Sequence, residues 1–315
     1  MQIQAIAPLV ARVEENISKV IYGKEEQIRL LITAMLAGGH VLLDDIPGTG
    51  KTTLARALAR SISADAKRIQ FTPDLLPSDV TGINVYNQRE QTFSFRPGPI
   101  FTNIVIADEL NRATPRTQSA LLECMGERQV TVDGVTYPLT APFFVVATQN
   151  PLESQGTFPL PEAQVDRFFM RLSLGYPARE NELSMLDRHI VSSPLESLAP
   201  VCTQADIVAA SAAVREVTVS GKVKQYILDL ITETRNNARV RLGVSPRGAL
   251  ALMHAAQAYA AAAGRDFVLP DDVKQVAVPV LAHRIISRSQ NAIRLADTGE
   301  SIIELILDTV PAPID

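Results

Sequence analysis

The stretch LLDDIPGTGKTTLARAL, residues 42–58, has the residue types and spacing of a loop that binds phosphate. Such a loop usually has glycine, four residues of any type, glycine, lysine, and then serine or threonine. Laid over Asp45 to Thr52, every fixed position matches except the first, where Asp45 replaces glycine. The glycines let backbone N–H groups close on the β-phosphate, the lysine reaches the β- and γ-phosphates, and the hydroxyl ligates Mg²⁺. The match is more typical of a nucleotide site than of an ordinary glycine-rich turn.

Asp45 stands where the loop leaves its strand, before the part that wraps the phosphates. A residue other than glycine is tolerated at such a position if its backbone φ stays negative. A carboxylate close to the phosphates would repel them. We therefore expect the Asp45 side chain to point away from the phosphates and to cap a neighbouring backbone group.

Two acids end the apolar run IVIADEL, residues 104–110. Asp108 is placed to hold Mg²⁺ through water, and Glu109 is placed to orient and deprotonate the attacking water. An apolar run followed by two acids is a weak signal alone, but it becomes strong in register after a phosphate loop. The pair of acids favours hydrolysis of ATP over simple phosphoryl transfer.

An amide pair, Gln149 and Asn150, follows the run FFVVAT (143–148). At the active-site edge of a parallel sheet, such an amide can hydrogen-bond both the γ-phosphate and the attacking water. An asparagine before Pro151 is also an ordinary turn former, so the residues alone leave both interpretations open.

Two arginines have two interpretations each. Arg167 either pairs with Asp166 or acts as an arginine finger, which neutralises charge that develops on the γ-phosphate of a neighbour's nucleotide. Arg247, in VSPRGA, stands at the beginning of a predicted helix of the second domain. In the first interpretation, it reaches the phosphates across the interdomain cleft. Otherwise Arg247 is an exposed arginine in a first helical turn, which the helix dipole mildly disfavours.

Short apolar runs alternate with helical stretches up to about Pro177, after a helical region over residues 1–37 that breaks at Tyr22-Gly23-Lys24. Such runs, rich in β-branched and aromatic residues, predict buried parallel strands. They are HVLLDD (40–45), AKRIQF (66–71), NIVIAD (103–108), FFVVAT (143–148) and FFMRLSL (168–174). Residues 1–177 are therefore predicted to form a three-layer α/β domain with a parallel sheet.

Two alternating stretches interrupt this pattern, GINVYNQREQTFSFRPGPI (82–100) and RQVTVDGVTYPLTAPFF (128–144). The second contains Asp133-Gly134, a strong hairpin signal. Both predict β-hairpins inserted into the α/β domain.

Residues 178–315 are predicted to form a small helical domain without central strands. Ser245 and Pro246 are suited to the N-cap and first turn of one of its helices. The predicted helices cover roughly 178–191, 203–216, 221–237, 246–263 and 270–288.

The composition bounds the class of protein. Net charge is −4 and the pI is near 5.7, which argues against nucleic acid as the main partner. Cys124 and Cys202 lack metal-ligand spacing and suit buried apolar positions. The sequence contains no signal peptide and no long apolar run, so we expect a soluble, cytoplasmic protein with no membrane span.

The chain resembles the AAA+ ATPases and, among them, the MoxR family, from about Val20 to about Ser287. Four stretches carry the resemblance: DDIPGTGKTTLARAL, IVIADELNRATPRTQSALLECMGERQVTVDG, FFVVATQNPLESQGTFPLPEAQVDRFFMRL and GVSPRGALALMHAAQAYAAAAGRDFVLPDDV. In MoxR-like proteins an acidic residue followed by hydrophobe-Pro-Gly is common at this loop. Asp45 therefore looks like a feature of the family rather than a sign that the nucleotide site has been lost. The fold implied is an AAA+ core with two hairpin insertions and an all-α lid.

The resemblance also implies roles for individual residues. Lys51 and Thr52 are Walker A, Asp108 and Glu109 are Walker B, and Asn150 is sensor 1. Arg247 is sensor 2, and Arg167 is the arginine finger, although Arg112 and Arg171 are near enough to compete for that role. The phosphate-binding residues are Pro47, Gly48, Thr49, Gly50, Lys51, Thr52 and Thr53, and the adenine pocket is lined by Ile21, Tyr22 and Gly23.

The function implied is that of a ring, a hexamer, that binds ATP and Mg²⁺ between neighbouring subunits. MoxR-like proteins act as chaperones that insert metals or cofactors into partner complexes, often with a partner that carries a von Willebrand factor A domain. Such a partner holds its own Mg²⁺. In related motors the hairpins face the pore or the client.

Three alternative functions remain open. An AAA+ motor acting on DNA is compatible with the hairpins but not with the acidic pI. A monomeric small-molecule kinase would not need Arg167 from a neighbour. A scaffold that binds ATP without hydrolysis would not need Glu109.

Overall fold

The computed structural model describes residues 1–150, 156–189, 194–288 and 298–313. The strands are β1 Val41–Asp44, β2 Ala66–Gln70, β3 Gly82–Asn87, β4 Thr92–Pro97, β5 Ile104–Asp108, β6 Gln129–Val132, β7 Val135–Pro138, β8 Phe144–Gln149, β9 Met170–Leu172, β10 Val240–Leu242 and β11 Ile286–Ser287. The helices are α1 Ile6–Ser18, α2 Glu25–Leu36, α3 Lys51–Ser61, α4 Pro77–Thr81, α5 Pro115–Glu127, α6 Glu162–Val165, α7 Arg179–His189, α8 Gln204–Val214, α9 Gly221–Asn236, α10 Pro246–Ala262, α11 Pro270–Leu281 and α12 Gly299–Thr309. Short 3₁₀ turns cover Ile3–Ala5, Leu110–Arg112 and Ala282–Arg284.

The central sheet contains the five strands that the apolar runs predict. They are all parallel, in the order β2-β5-β8-β1-β9. Their carboxyl ends lie at one edge, where Asp44 is in register with Gln149 and Gln70 is in register with Asp108. The prediction of a parallel α/β sheet is confirmed, and this edge receives the polar residues of the candidate site.

Apolar side chains cover both faces of the sheet, which explains why its strands read as continuous apolar runs. Side chains alternate between faces along a strand. Ile104 and Ile106 belong to a core shared with α1, α2, α3 and the lid, whereas Val105 and Ala107 belong to a second core with α4 and α5. The result is the expected three-layer architecture.

Both predicted hairpins are present, as the pairs β3–β4 and β6–β7. The second turns at Asp133 (φ 50°) and Gly134 (φ 80°), where positive φ matches the twist of a tight hairpin. The hairpins also contact each other. Phe95 stacks on Tyr137 with ring centroids 4.1 Å apart, and Asn84 Nδ2 donates to Asp133 Oδ2 at 2.7 Å.

The described part of the C-terminal region is mostly helical, and three details differ from the sequence-based prediction. The helix predicted over 270–288 ends at Leu281, two residues after Pro279, and a 3₁₀ turn follows. The chain then forms β11, which pairs antiparallel with β10, although no strands were predicted here. Helix α12 was not predicted. The helix predicted over 178–191 is observed as α7, and residues 190 and 191 lie outside the described ranges.

Over the ranges that the structure describes, no helix is long and apolar enough to cross a membrane.

Candidate functional site

The phosphate loop joins the end of β1 to the start of α3. Gly48 (φ 84°) and Gly50 (φ 89°) hold left-handed backbone conformations that other residues adopt only with strain. Gly50 is also the N-cap of α3, an eleven-residue helix that begins at Lys51. The positive end of that helix therefore lies at the loop, as a site for phosphate requires.

Lys51 closes the loop on itself. Its Nζ donates to the backbone oxygens of Asp45 at 2.6 Å and Ile46 at 2.8 Å. Burial lowers the pKa of the Lys51 ammonium, while the carboxylates of Asp45 and Asp44 act in the opposite direction. The lysine is thus held on the loop backbone, from which it is placed to reach a bound phosphate.

Asp45 faces backbone donors, as the sequence predicts. Its Oδ1 accepts from Ile46 N at 2.8 Å, and its Oδ2 accepts from Leu174 N at 2.8 Å and Gly175 N at 2.6 Å. The residue is 8% exposed. Three backbone N–H groups compensate the burial of this carboxylate, which satisfies it without a cation.

A hydroxyl and a carboxylate form a candidate Mg²⁺ site. Thr52 Oγ1 lies 3.2 Å from Asp108 Oδ1 and 3.1 Å from Asp108 Oδ2, and Thr148 Oγ1 lies 3.3 Å from Asp108 Oδ1. Among the described residues, no group of three or more histidine, cysteine or acidic side chains is arranged to hold a metal. This donor set fits Mg²⁺, which is commonly bound by one or two protein oxygens together with water and phosphate.

Glu109, the candidate base, has a strained backbone with φ 57° and ψ 48°. A residue other than glycine in this region costs roughly 1–3 kcal/mol, so surrounding contacts must hold it. Here Glu109 N donates to Thr148 Oγ1 at 3.0 Å. Its Oε2 accepts from Gln70 Nε2 at 2.7 Å and from Arg112 Nη1 at 3.0 Å. The carboxylate is therefore oriented from two sides.

Sequence reasoning missed Arg68 and Gln70, which belong to the edge strand β2. Arg68 Nε donates to Asp108 Oδ2 at 2.5 Å, and Arg68 Nη2 donates to Gln70 Oε1 at 2.8 Å. The only signal in the sequence is two polar residues at alternate positions of a short strand. That signal has no partner until β2 is known to lie beside β5.

A cavity of about 150 Å³ is lined by Lys51, the acid pair and Asn150, whereas Thr49, Gly50 and Thr53 line the neighbouring cavity. The carbonyl of Asn150 accepts from Asn111 Nδ2 at 3.3 Å. The lining residues are Pro47, Gly48, Lys51, Thr52, Arg68, Gln70, Asp108, Glu109, Thr148, Gln149 and Asn150. The structure thus brings the loop, the acid pair and the amide to one place.

A second cavity, of about 470 Å³, adjoins the loop and is placed to receive a base and ribose. Ile21, Tyr22, Thr49 and Thr53 line it, together with residues of the core–lid linker and α7. Gly23 (φ 66°) packs so closely on Asn181 that an added Cβ would lie 1.9 Å from Asn181 Nδ2. The segment predicted for the adenine pocket therefore lies at this cavity.

The structure pairs Asp166 with lid arginines. Arg284 Nε lies 2.9 Å from Asp166 Oδ1, and the exposed Arg247 has Nη1 3.9 Å from Asp166 Oδ2. Arg167 instead donates through Nη1 to Leu122 O at 2.9 Å. Of the described residues that line the two cavities, none is Arg167 or Arg247.

The two arginines that compete for the finger role are engaged within their own subunit. Arg112 pairs with Glu109, and Arg171 pairs with Glu300 and lies 3.8 Å from Asp44 Oδ2.

Comparison with known proteins finds relatives over nearly the whole chain. A family profile described as "ATPase family associated with various cellular activities (AAA)" matches residues 40–170, and an AAA lid domain profile matches residues 232–306. The chain is 50% identical to the uncharacterised protein YeaC of Bacillus subtilis, over 98% of this chain and 96% of that protein. It is 36% identical to the chaperone MoxR1 of Mycobacterium tuberculosis, over 95% of this chain and 81% of that protein.

A crystal structure from Cytophaga hutchinsonii, assigned there as a candidate ATPase, has the same fold. Its TM-score is 0.90 at 39% identity, and the match covers 98% of this chain and 96% of that one.

Proposed function

This chain belongs to the MoxR family of AAA+ ATPases, and we propose that it is a ring-forming motor that spends ATP to remodel partner proteins. The observation that carries the proposal is the cavity shared by Lys51, Thr52, Asp108, Glu109 and Asn150. A protein that only bound phosphate would need the loop, but it would not need the carboxylate of Glu109 beside the loop on a strained backbone.

We assign hydrolysis to the residues of this cavity. The loop backbone and Lys51 would hold the phosphates, and Thr52 and Asp108 would hold Mg²⁺, which would supply positive charge to offset that of the phosphates. Glu109, oriented by Gln70 and Arg112, accepts the proton of the attacking water. We assign to Asn150 the positioning of that water against the γ-phosphate.

We further propose that each site is completed by a neighbouring subunit of a hexameric ring. Arg167 donates to Leu122 O and lies outside the subunit's own phosphate cavity, so we assign it to the neighbour's γ-phosphate. Arg247, which lies 3.9 Å from Asp166, we propose as sensor 2, acting from the lid across the interdomain cleft. An arginine supplied by a neighbour accelerates hydrolysis by about 10³–10⁵. An isolated subunit would then be nearly inactive.

The work done by the motor is proposed to be that of a chaperone. The relative MoxR1 is named a chaperone, which supports this assignment. The exposed tip of the β3–β4 hairpin supports a contact with a client. There Phe93 is 72% exposed, and its ring centroid lies 5.1 Å from that of Tyr86. We propose a client that receives a metal or cofactor, with a partner carrying a von Willebrand factor A domain.

We also propose a cytoplasmic location, with an ATPase core over residues 1–177 and a lid over residues 178–315. In this arrangement hydrolysis rocks the lid against the core, and the motion acts on the bound protein.

Capture of the client tests this function. The bait is Glu109→Gln in the presence of ATP, which should bind nucleotide without turning it over, and the matched control is Lys51→Ala, which should not bind. We expect a metalloprotein subunit, or a protein with a von Willebrand factor A domain, to be enriched only on the first bait. Enrichment of DNA or replication proteins instead would contradict the chaperone assignment and favour a DNA motor. Hydrolysis by Glu109→Gln at the wild-type rate would contradict the assignment of the base.

A further inference from the structure

Asp45 occupies the position where a phosphate loop usually has glycine. Its contacts indicate a role for the side chain beyond fitting into the loop. The same residue contacts two parts of the site. Its backbone oxygen accepts from Lys51 Nζ, and its carboxylate accepts from the backbone of Leu174 and Gly175. A glycine at this position would keep the first contact and lose the second.

The segment that Asp45 holds is the linker between the core and the lid. Leu174 is buried, Gly175 has φ 59°, and Tyr176 and Pro177 follow directly. Both Tyr176 and Pro177 line the cavity that we assign to the base and ribose. The carboxylate therefore fixes one wall of that cavity relative to the phosphate loop.

The charge of Asp45 has the opposite effect on the phosphates themselves. A carboxylate next to the loop repels an anion, and its three backbone donors only partly screen that repulsion. Its presence in an anion site is explained if the hydrogen bonds to the linker contribute more to binding of the whole nucleotide than the repulsion removes.

We propose that Asp45 is a positioning residue that ties the phosphate loop to the core–lid linker, so that the phosphate and base subsites bind one nucleotide together. The proposal rests on the proposed nucleotide site. It predicts opposite effects on two ligands. ATP spans both subsites, whereas inorganic tripolyphosphate occupies the loop alone.

The test measures dissociation constants of ATP and of tripolyphosphate, each with Mg²⁺, by titration calorimetry. Asp45→Ala should weaken ATP binding by about tenfold, because hydrogen bonds to a charged group are lost. Binding of tripolyphosphate should be unchanged or tighter, since a negative charge is removed. Asp45→Asn keeps an acceptor for the linker and should lie between Asp45→Ala and the wild type for ATP.

The matched control is Asp44→Asn, which removes a charge at the preceding residue, whose Oδ2 lies 3.8 Å from Arg171 Nη1. It should change both dissociation constants by the same factor. Hydrogen exchange at Leu174 and Gly175 should quicken in Asp45→Ala and stay slow in Asp44→Asn.

Three results would overturn the proposal. In the first, ATP and tripolyphosphate weaken in parallel in both Asp45 variants, which indicates a merely structural role. In the second, neither ligand responds. In the third, Asp44→Asn separates the two ligands as strongly as Asp45→Ala does, which indicates that the separation does not depend on the hydrogen bonds from Asp45 to the linker. Failure of the wild-type protein to bind ATP would instead refute the proposed function.

Discussion

Arg284 offers the sharpest test of how the lid is attached to the core. Its side chain is 2% exposed, and its Nε lies 2.9 Å from Asp166 Oδ1. Its Nη2 donates to Phe168 O at 2.7 Å and its Nη1 to Phe169 O at 3.3 Å. Burial lowers the pKa of Arg284 to about 10, an effect that the Asp166 carboxylate opposes, so the group stays charged at neutral pH. A single buried cation therefore joins the 3₁₀ turn of the lid to the segment before β9.

Replacing Arg284 by methionine should destabilise the protein strongly. Removing one partner of a buried pair costs about 3–5 kcal/mol, because the other groups are left without their donor. Asp166 is 24% exposed and has a second partner in Arg247, so it is partly compensated. We therefore expect the lower end of that range, about 3 kcal/mol in the free energy of unfolding.

The partner variants should behave differently. Asp166→Asn keeps an acceptor but leaves the buried Arg284 cation without its counter-charge, so we expect a loss of about 2–3 kcal/mol. Arg247→Met is the control, since its side chain is 64% exposed and its contact with Asp166 is 3.9 Å long. An exposed pair of this kind is worth less than about 1 kcal/mol.

Urea unfolding, followed by circular dichroism, measures these differences if the slopes of the transitions agree between variants. The reasoning is refuted if Arg284→Met costs less than about 1 kcal/mol, or if Arg247→Met costs as much as Arg284→Met.

Three further predictions concern the site and the core. Lys51→Ala should abolish ATP binding in calorimetry, and retained affinity would remove the lysine from the site. Arg167→Ala and Lys51→Ala should each be inactive, but mixed rings should regain ATPase activity, because the Lys51→Ala subunit supplies the finger to the intact loop of the Arg167→Ala subunit. A mixture that stays inactive would argue against a shared site. Burial lowers the pKa of His40 in the folded protein to about 4, from an ordinary value of 6.5 that applies in the unfolded chain. Between these two pH values only the unfolded chain takes up a proton. The free energy of unfolding should fall by about 2 kcal/mol between about pH 7 and pH 5, and less steeply in His40→Gln; an equal slope in the two proteins would contradict this assignment.

Features carried by short stretches of chain could be predicted from the sequence. The phosphate loop depends on the spacing of Gly48, Gly50 and Lys51, and the strands depend on local apolar periodicity. The hairpin at Asp133-Gly134 depends on two residues that tolerate positive φ. Each signal lies within one element, so no knowledge of the sheet order is needed.

Features that join distant elements could not be predicted. Arg68 and Gln70 meet Asp108 and Glu109 only because β2 lies beside β5 in the sheet, and the strand order is not encoded in any local pattern. The pair β10–β11 was missed for a related reason. Strands of three and two residues are too short to show an alternation, and the paired residues Val240 and Ser287 lie 47 positions apart along the chain.

Asp45 separates the two kinds of information. The sequence alone identified it as an exception to the glycine pattern and, because a carboxylate repels phosphate, predicted that it caps a backbone group. The tertiary structure alone decided which group. Its donors at Leu174 and Gly175 lie 129 and 130 residues away along the chain, and they reach the loop because β9 packs beside β1.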